Sequence, residues 1–310
     1  MLGLANLMLG IEITHEENSI TLSQCHYIDA LLDLYGMTNC KPVATALIPN
    51  THFEAPSDQE REAFLALNVN YQSAIGSLSY LSTATRPDLC FSVSALSQFL
   101  ESLGIQHWQA FLHILKYLKG TSTTGLTYYR DNQEPPTAYS DADWGNCRVS
   151  RHSVTGYLIT IHNNLVIWKM RKQTTVSLSS AEAEYKALTD IACELIWFRQ
   201  LCKEITINTE DKPIVIHEDS QGCINTENGD CNTSSKQMKH VDMQLHFIRE
   251  VISSSIIGLI YTPTTSMLAD FLTKAVCQPA LQKTMNCRRC SWMKDRGDVK
   301  MTDFCQSVSS

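Results

Sequence analysis

Beyond the paired prolines Pro135 and Pro136, the sequence lays out an order of elements that leaves little choice of fold. A strand-like segment ends at "TAYSDAD", and two apolar strands follow in "TGYLITIHNNLVIWKMRK" around a turn expected at Asn163-Asn164. A long helix is expected from about Ser180 to Glu204. After it come a strand in "PIVIHED", helices from about Ser220 and through "HVDMQLHFIREVI", a strand "IGLIYT" and a last helix carrying "MLADFLTKAV". This order predicts an α/β fold, a mixed five-stranded sheet flanked by helices.

Upstream of the prolines, "GIEITHEENSITLS" predicts two short strands about a polar turn, and "QCHYIDALLDLYGM" has helical spacing of apolar residues. An extended stretch "KPVATALIPN" precedes three expected helices. They run through "NYQSAIGSLSYLS", from Arg86-Pro87-Asp88, and through "QHWQAFLHILKYLKG" to Gly120. The change of character sets the expected boundaries at residues 1–130, 136–276 and 277–310.

With 310 residues and 44% hydrophobic content, the chain can bury sizeable cores, and a formal net charge of -7 excludes a broad basic coat for nucleic acid. Twelve cysteines without framework spacing predict a reducing, intracellular setting. No apolar run approaches the roughly 18 residues of a membrane span. The single C-x-x-C, Cys287 to Cys290, lacks a second pair at zinc-like spacing, which predicts a loose tail.

Two pairs of acids interrupt this pattern. On a helical wheel, Leu188, Ile191, Leu195, Phe198 and Cys202 form one stripe with Glu184 near its centre. Glu182 projects away from it and, with Ser179, fits a capping box in which the glutamate reaches back to first-turn backbone. A glutamate at the head of an apolar stripe costs desolvation free energy unless a cation or proton sits beside it, which makes Glu184 a candidate site residue. For Asp141 and Asp143 periodicity cannot choose, because residues i and i+2 share a strand face. Asp219 ends a strand where a helix begins, and Asp270 lies in the last helix after "TPTTSM"; taken singly, acids at such positions are caps more often than ligands. Together the acids can converge at one edge of the sheet.

The motifs "YSDADW", "SSAEAEY", "EDSQG", "KHVDMQLHFIRE" and "LADFLTK" resemble, in order, the ribonuclease H domain that ends copia-type retrotransposon polyproteins. Upstream, "ITLSQCHYIDALL", "YQSAIGSLSYLSTATRPDLCFSVSALSQF" and "HWQAFLHILKYLKGT" are similar to the end of that family's reverse transcriptase and its helical linker. The resemblance implies that Asp141, Glu184, Asp219 and Asp270 are the metal-binding and catalytic acids, and it leaves Asp143 unassigned. It implies two Mg²⁺ ions, with Mn²⁺ as the alternative, about 3.5–4 Å apart, serving hydrolysis of the RNA strand of an RNA/DNA hybrid. It also implies a cytoplasmic, particle-associated or nuclear setting, no membrane, and the remaining polymerase as partner.

Lys169, Arg171, Lys172, Lys236, Lys239 and His240 are the candidates for contact with the nucleic-acid backbone. His240 and His246, six apart on a helix, fall on different faces and do not suggest a metal pair. Two departures qualify the resemblance. "YTPTTSMLAD" lacks the histidine that many cellular ribonucleases H carry before the last aspartate. The polymerase's Tyr-x-Asp-Asp motif would lie upstream of residue 1, so polymerisation by this chain alone is not expected. A remnant that binds nucleic acid without cutting is the alternative.

Overall fold

The computed structural model describes residues 3–130, 134–145, 147, 150–205, 207, 212–224 and 242–285. Two sheets organise them. The smaller has the order β1 (Leu7–Met8), β2 (Ile11–His15), β3 (Ser19–Ser23), β4 (Leu126–Tyr129), all antiparallel. Between β3 and β4 run α1 (Cys25–Leu34), α2 (Asp58–Leu65), α3 (Tyr71–Ala84), α4 (Cys90–Ser97) and α5 (Ile105–Gly120). Pro87 opens a short 3₁₀ turn just before α4.

Two of these elements escape the hydrophobic pattern. Only Phe64 of α2 is buried, so the helix has almost no apolar stripe; its start is fixed instead by a capping box in which Glu60 accepts from Ser57 N at 2.9 Å. β4 is short and is specified by its pairing with β3, Leu22 opposite Leu126, across about a hundred intervening residues.

The larger sheet follows. β5 (Thr137–Asp143), β6 (Val154–Ile161) and β7 (Asn164–Lys172) form an antiparallel meander. α6 (Ser180–Glu204) leads to β8 (Ile214–Glu218), and α7 (Gln221–Ile224) and α8 (Asp242–Ser253) precede β9 (Ile257–Tyr261). The order is β7-β6-β5-β8-β9, with β8 parallel to both β5 and β9. The β6–β7 turn is His162-Asn163, one residue earlier than expected. Both residues have positive φ (49° and 58°), as a two-residue primed turn requires, and Asn164 already pairs with Ile161.

The last expected helix is also shorter. It is reduced to a single turn, α9 (Asp270–Thr273), after which Lys274 is extended (φ -146°, ψ 159°); a separate helix, α10 (Gln278–Met285), follows.

Alternation in the strands covers both sheet faces. Ala138, Tyr157 and Ile159 join a core with Leu188, Ile191, Leu195 and Ile248 of α6 and α8. Tyr139, Leu158 and Leu165 join another with Leu78, Leu81 and Phe111 of the N-terminal helices and Phe271 and Leu272 of α9. The indole N–H of Trp168 donates to Ser82 O at 2.9 Å across that second contact. Gly156 lets α9 approach: a Cβ there would stand 2.7 Å from both Leu272 Cβ and Thr273 Cγ2. Its cross-strand neighbour is Asp141, so this close approach brings α9 against the acid-bearing end of β5.

Candidate metal centre

β5 and β8 are adjacent and parallel, so their C-terminal ends open on the same side, where α/β sheets commonly bind ligands. Asp141 lies near the end of β5 and Asp219 just past the end of β8. α6, capped by Ser179 Oγ accepting from Glu182 N at 3.2 Å, directs Glu184 from its start toward both. One carboxylate oxygen from each of Asp141, Glu184 and Asp219 lies within 4.8 Å of the other two. Asp141 and Glu184 are buried, at 4% and 8% exposure.

The two members of each acid pair have separate surroundings. Asp141 accepts from the Thr273 hydroxyl, whereas Asp143 is half-buried and lies outside the three-acid group. Glu182 is buried rather than turned to solvent. Its carboxylate accepts from Leu178 N at 2.7 Å and pairs with Lys186 at 2.9 Å. The first contact reaches one residue beyond the expected N-cap. It fixes the loop whose Ser177 carbonyl accepts from the Trp144 indole at 2.9 Å.

Burial and crowding raise the acids' proton affinities. Asp141 is pushed up to about 7, first by burial and then by Asp270 and Asp219, against the opposing pull of Lys274 and the Thr273 hydroxyl. Glu184 is raised by burial and by Glu218, Asp141 and Asp219, partly offset by the Ala142 N–H. Glu184 Oε2 is buried with no hydrogen-bond partner. Three hard oxygen donors on three elements, one of them unmet, fit a divalent cation of the Mg²⁺ or Mn²⁺ type.

Asp270 is near but distinct. Burial raises it, and Lys274, with Nζ 3.0 Å from Asp270 Oδ1, lowers it. Three residues that the sequence pattern did not single out join the site: Glu218, Thr273 and Lys274. Glu218 is fully buried and held well above the usual carboxylate range by burial and the charges of Asp219 and Asp141, against the Ser220 N–H. A signal for it existed, because Ile214, Ile216 and Glu218 occupy the buried positions of an alternating strand.

The basic candidates are dispersed. On β7, Lys169 and Arg171 face Glu194 and Asp190 of α6 at 3.9 and 3.0 Å. Lys172 turns to Gln98 Oε1 and Cys147 Sγ at 3.0 and 3.3 Å. Lys236, Lys239, His240 and the Cys287/Cys290 pair lie outside the described residues. Among the described residues no helix is long and apolar enough to cross a membrane.

No protein-family model matches the chain. Over 281 residues it is 35% identical to the retrovirus-related Pol polyprotein from transposon TNT 1-94 of Nicotiana tabacum, a match covering 89% of this chain and 21% of that protein. Over 278 residues it is 34% identical to the Pol polyprotein from transposon RE1 of Arabidopsis thaliana, covering 88% and 18%. Over nearly nine-tenths of its length, then, the chain is similar to retrotransposon Pol polyproteins. It spans about a fifth of the length of these relatives. Among solved structures, LC11-RNase H1 in complex with RNA/DNA hybrid aligns with 44% of this chain and 92% of its own, at TM-score 0.34 and 15% identity. The larger sheet is, as expected, a mixed five-stranded α/β arrangement with helices packed on both faces.

Proposed function

We propose that this Pol segment is a metal-dependent endonuclease that cleaves the RNA strand of RNA/DNA hybrids. The observation that carries the reading is the meeting of Asp141, Glu184 and Asp219 within 4.8 Å, with a buried glutamate oxygen left unmet. Those acids would hold Mg²⁺ or Mn²⁺, with Asp270 at the rim as a ligand for a second ion. Bound there, the metal supplies an activated water and neutralises charge on the leaving oxygen of a phosphodiester.

The protein's own groups prepare that chemistry. The Thr273 hydroxyl orients Asp141, the Ala142 N–H orients Glu184, and burial favours the protonated form of Glu218 beside Asp219. Choice of the RNA strand would rest on 2'-hydroxyl and groove-shape contacts. Lys169, Arg171, Lys172, Lys236, Lys239 and His240 are the proposed backbone contacts. Residues 1–130 serve as the end of the reverse transcriptase and its linker, 136–276 as the nuclease domain, and polymerisation requires the rest of the polyprotein.

Purified chain with Mg²⁺ and an end-labelled hybrid tests this. Cleavage is expected in the parent and absent in Asp141→Asn and Asp219→Asn. Cleavage that persists in both variants would refute the assignment, and tight hybrid binding without turnover in either metal would point to a non-catalytic remnant.

A further inference from the structure

Lys274 is a charged side chain for which the nuclease reading supplies no role, and any role it has at this site rests on that reading of the acids as a cation centre. Lys274 stands where α9 ends, four residues after Asp270, and its Nζ lies 3.0 Å from Asp270 Oδ1 with 39% of the side chain exposed. Asp141 and Asp143 also lie within its electrostatic reach. The residue lines a small cavity with Ala46, Leu47 and Phe91 of the N-terminal half. Asp270 stands outside the group formed by Asp141, Glu184 and Asp219.

We propose that Lys274 is a tethered cation of the acid centre, a positioning residue that holds Asp270 and competes with a divalent ion for it. Without nucleic acid the chain then takes one ion, on Asp141, Glu184 and Asp219, and admits a second at Asp270 only as Lys274 is displaced. An ammonium on a flexible stem is a compact point charge that exchanges partners easily. A phosphodiester oxygen is such a partner, so an arriving strand draws Lys274 away and frees Asp270 at the moment the second ion is needed.

The test is an Mn²⁺ binding isotherm on the full chain without nucleic acid, followed by calorimetry and by the electron spin resonance of free Mn²⁺. The parent binds one ion well and a second weakly. Lys274→Met is expected to bring the second event to about tenfold lower Mn²⁺, because a unit positive charge has left the site. Lys274→Arg keeps the parent isotherm, Asp270→Asn keeps the first ion, and Asp219→Asn loses it. Near-ultraviolet circular dichroism checks that each variant is folded. A Lys274→Met isotherm matching the parent overturns the proposal, as does loss of the first ion in Asp270→Asn. A parent that binds no Mn²⁺ overturns both the lysine's role and the metal centre. The expected isotherms in a chain that never cuts hybrid overturn the nuclease reading alone.

Discussion

Two buried charge centres lie in this molecule, one closed and one open. In the helical half, the Arg86 guanidinium is fully buried and every arm is met. It donates to Asp88 Oδ1 and Oδ2 at 3.0 and 2.8 Å, to Thr121 O at 2.9 Å and to Thr121 Oγ1 at 2.6 Å, while the Tyr117 hydroxyl donates to Asp88 at 2.8 Å. At the end of the larger sheet, Asp141, Glu184 and Glu218 are buried together with Lys274 only at their rim, and among the described residues one oxygen of each glutamate has no hydrogen-bond partner. Opposite charges in fixed geometry explain the first centre by structure alone. The second buries acids at a cost that structure alone does not offset, the pattern in which ligand sites are commonly found.

Breaking the open centre should have the largest effect, on activity. Asp141→Asn, Glu184→Gln and Asp219→Asn should each lower hybrid cleavage by ~10³-fold or more in a single-turnover assay, each decade being about 1.4 kcal/mol of barrier. Breaking the closed centre should act on stability. Arg86→Met leaves Asp88 buried and unpaired and should cost about 3–5 kcal/mol in urea unfolding, with cleavage per folded molecule unchanged.

The pH dependence sharpens the contrast. Asp141 holds its proton up to about 7 in the folded chain, against about 4 when unfolded, so the folded state binds more protons between those values. Asp141's contribution to the stability of the metal-free chain should therefore be fully present below about 4 and be lost as pH rises from there through 7, by an amount on the order of a few kcal/mol. Asp141→Asn should flatten that fall, measured by denaturant unfolding in chelator, while abolishing cleavage. The smallest effect belongs to the neighbour acid. Glu182→Gln should cost about 1–2 kcal/mol through the weakened loop contact and ion pair and leave most cleavage intact.

How far this was legible in the sequence differs by element. The long helix matched its pattern because the apolar stripe along its 25 residues and a serine cap agree, and Glu184 stood out as a charge where the stripe demands an apolar residue. Asp141 could not be separated from Asp143 by periodicity. What distinguishes them is the packing of α9 at Gly156, a contact between residues more than a hundred apart in sequence. β4 escaped for the same reason, being specified by a distant partner. Glu218 and the His162-Asn163 turn had local signals, strand alternation in one case and the two-residue primed turn in the other. Lys274 had none, since a lysine after a short helix looks like surface charge until its aspartate and its cavity are in place.

Thermal unfolding of the whole chain at pH 8, in chelator and in excess Mg²⁺, tests most directly whether the open centre is a cation site. A metal centre at these acids requires the melting temperature to rise with Mg²⁺ concentration, since an ion that binds only the folded state stabilises it by mass action, and the rise should vanish in Asp219→Asn. A melting temperature that Mg²⁺ leaves unchanged in the parent, or raises equally in Asp219→Asn, would contradict it.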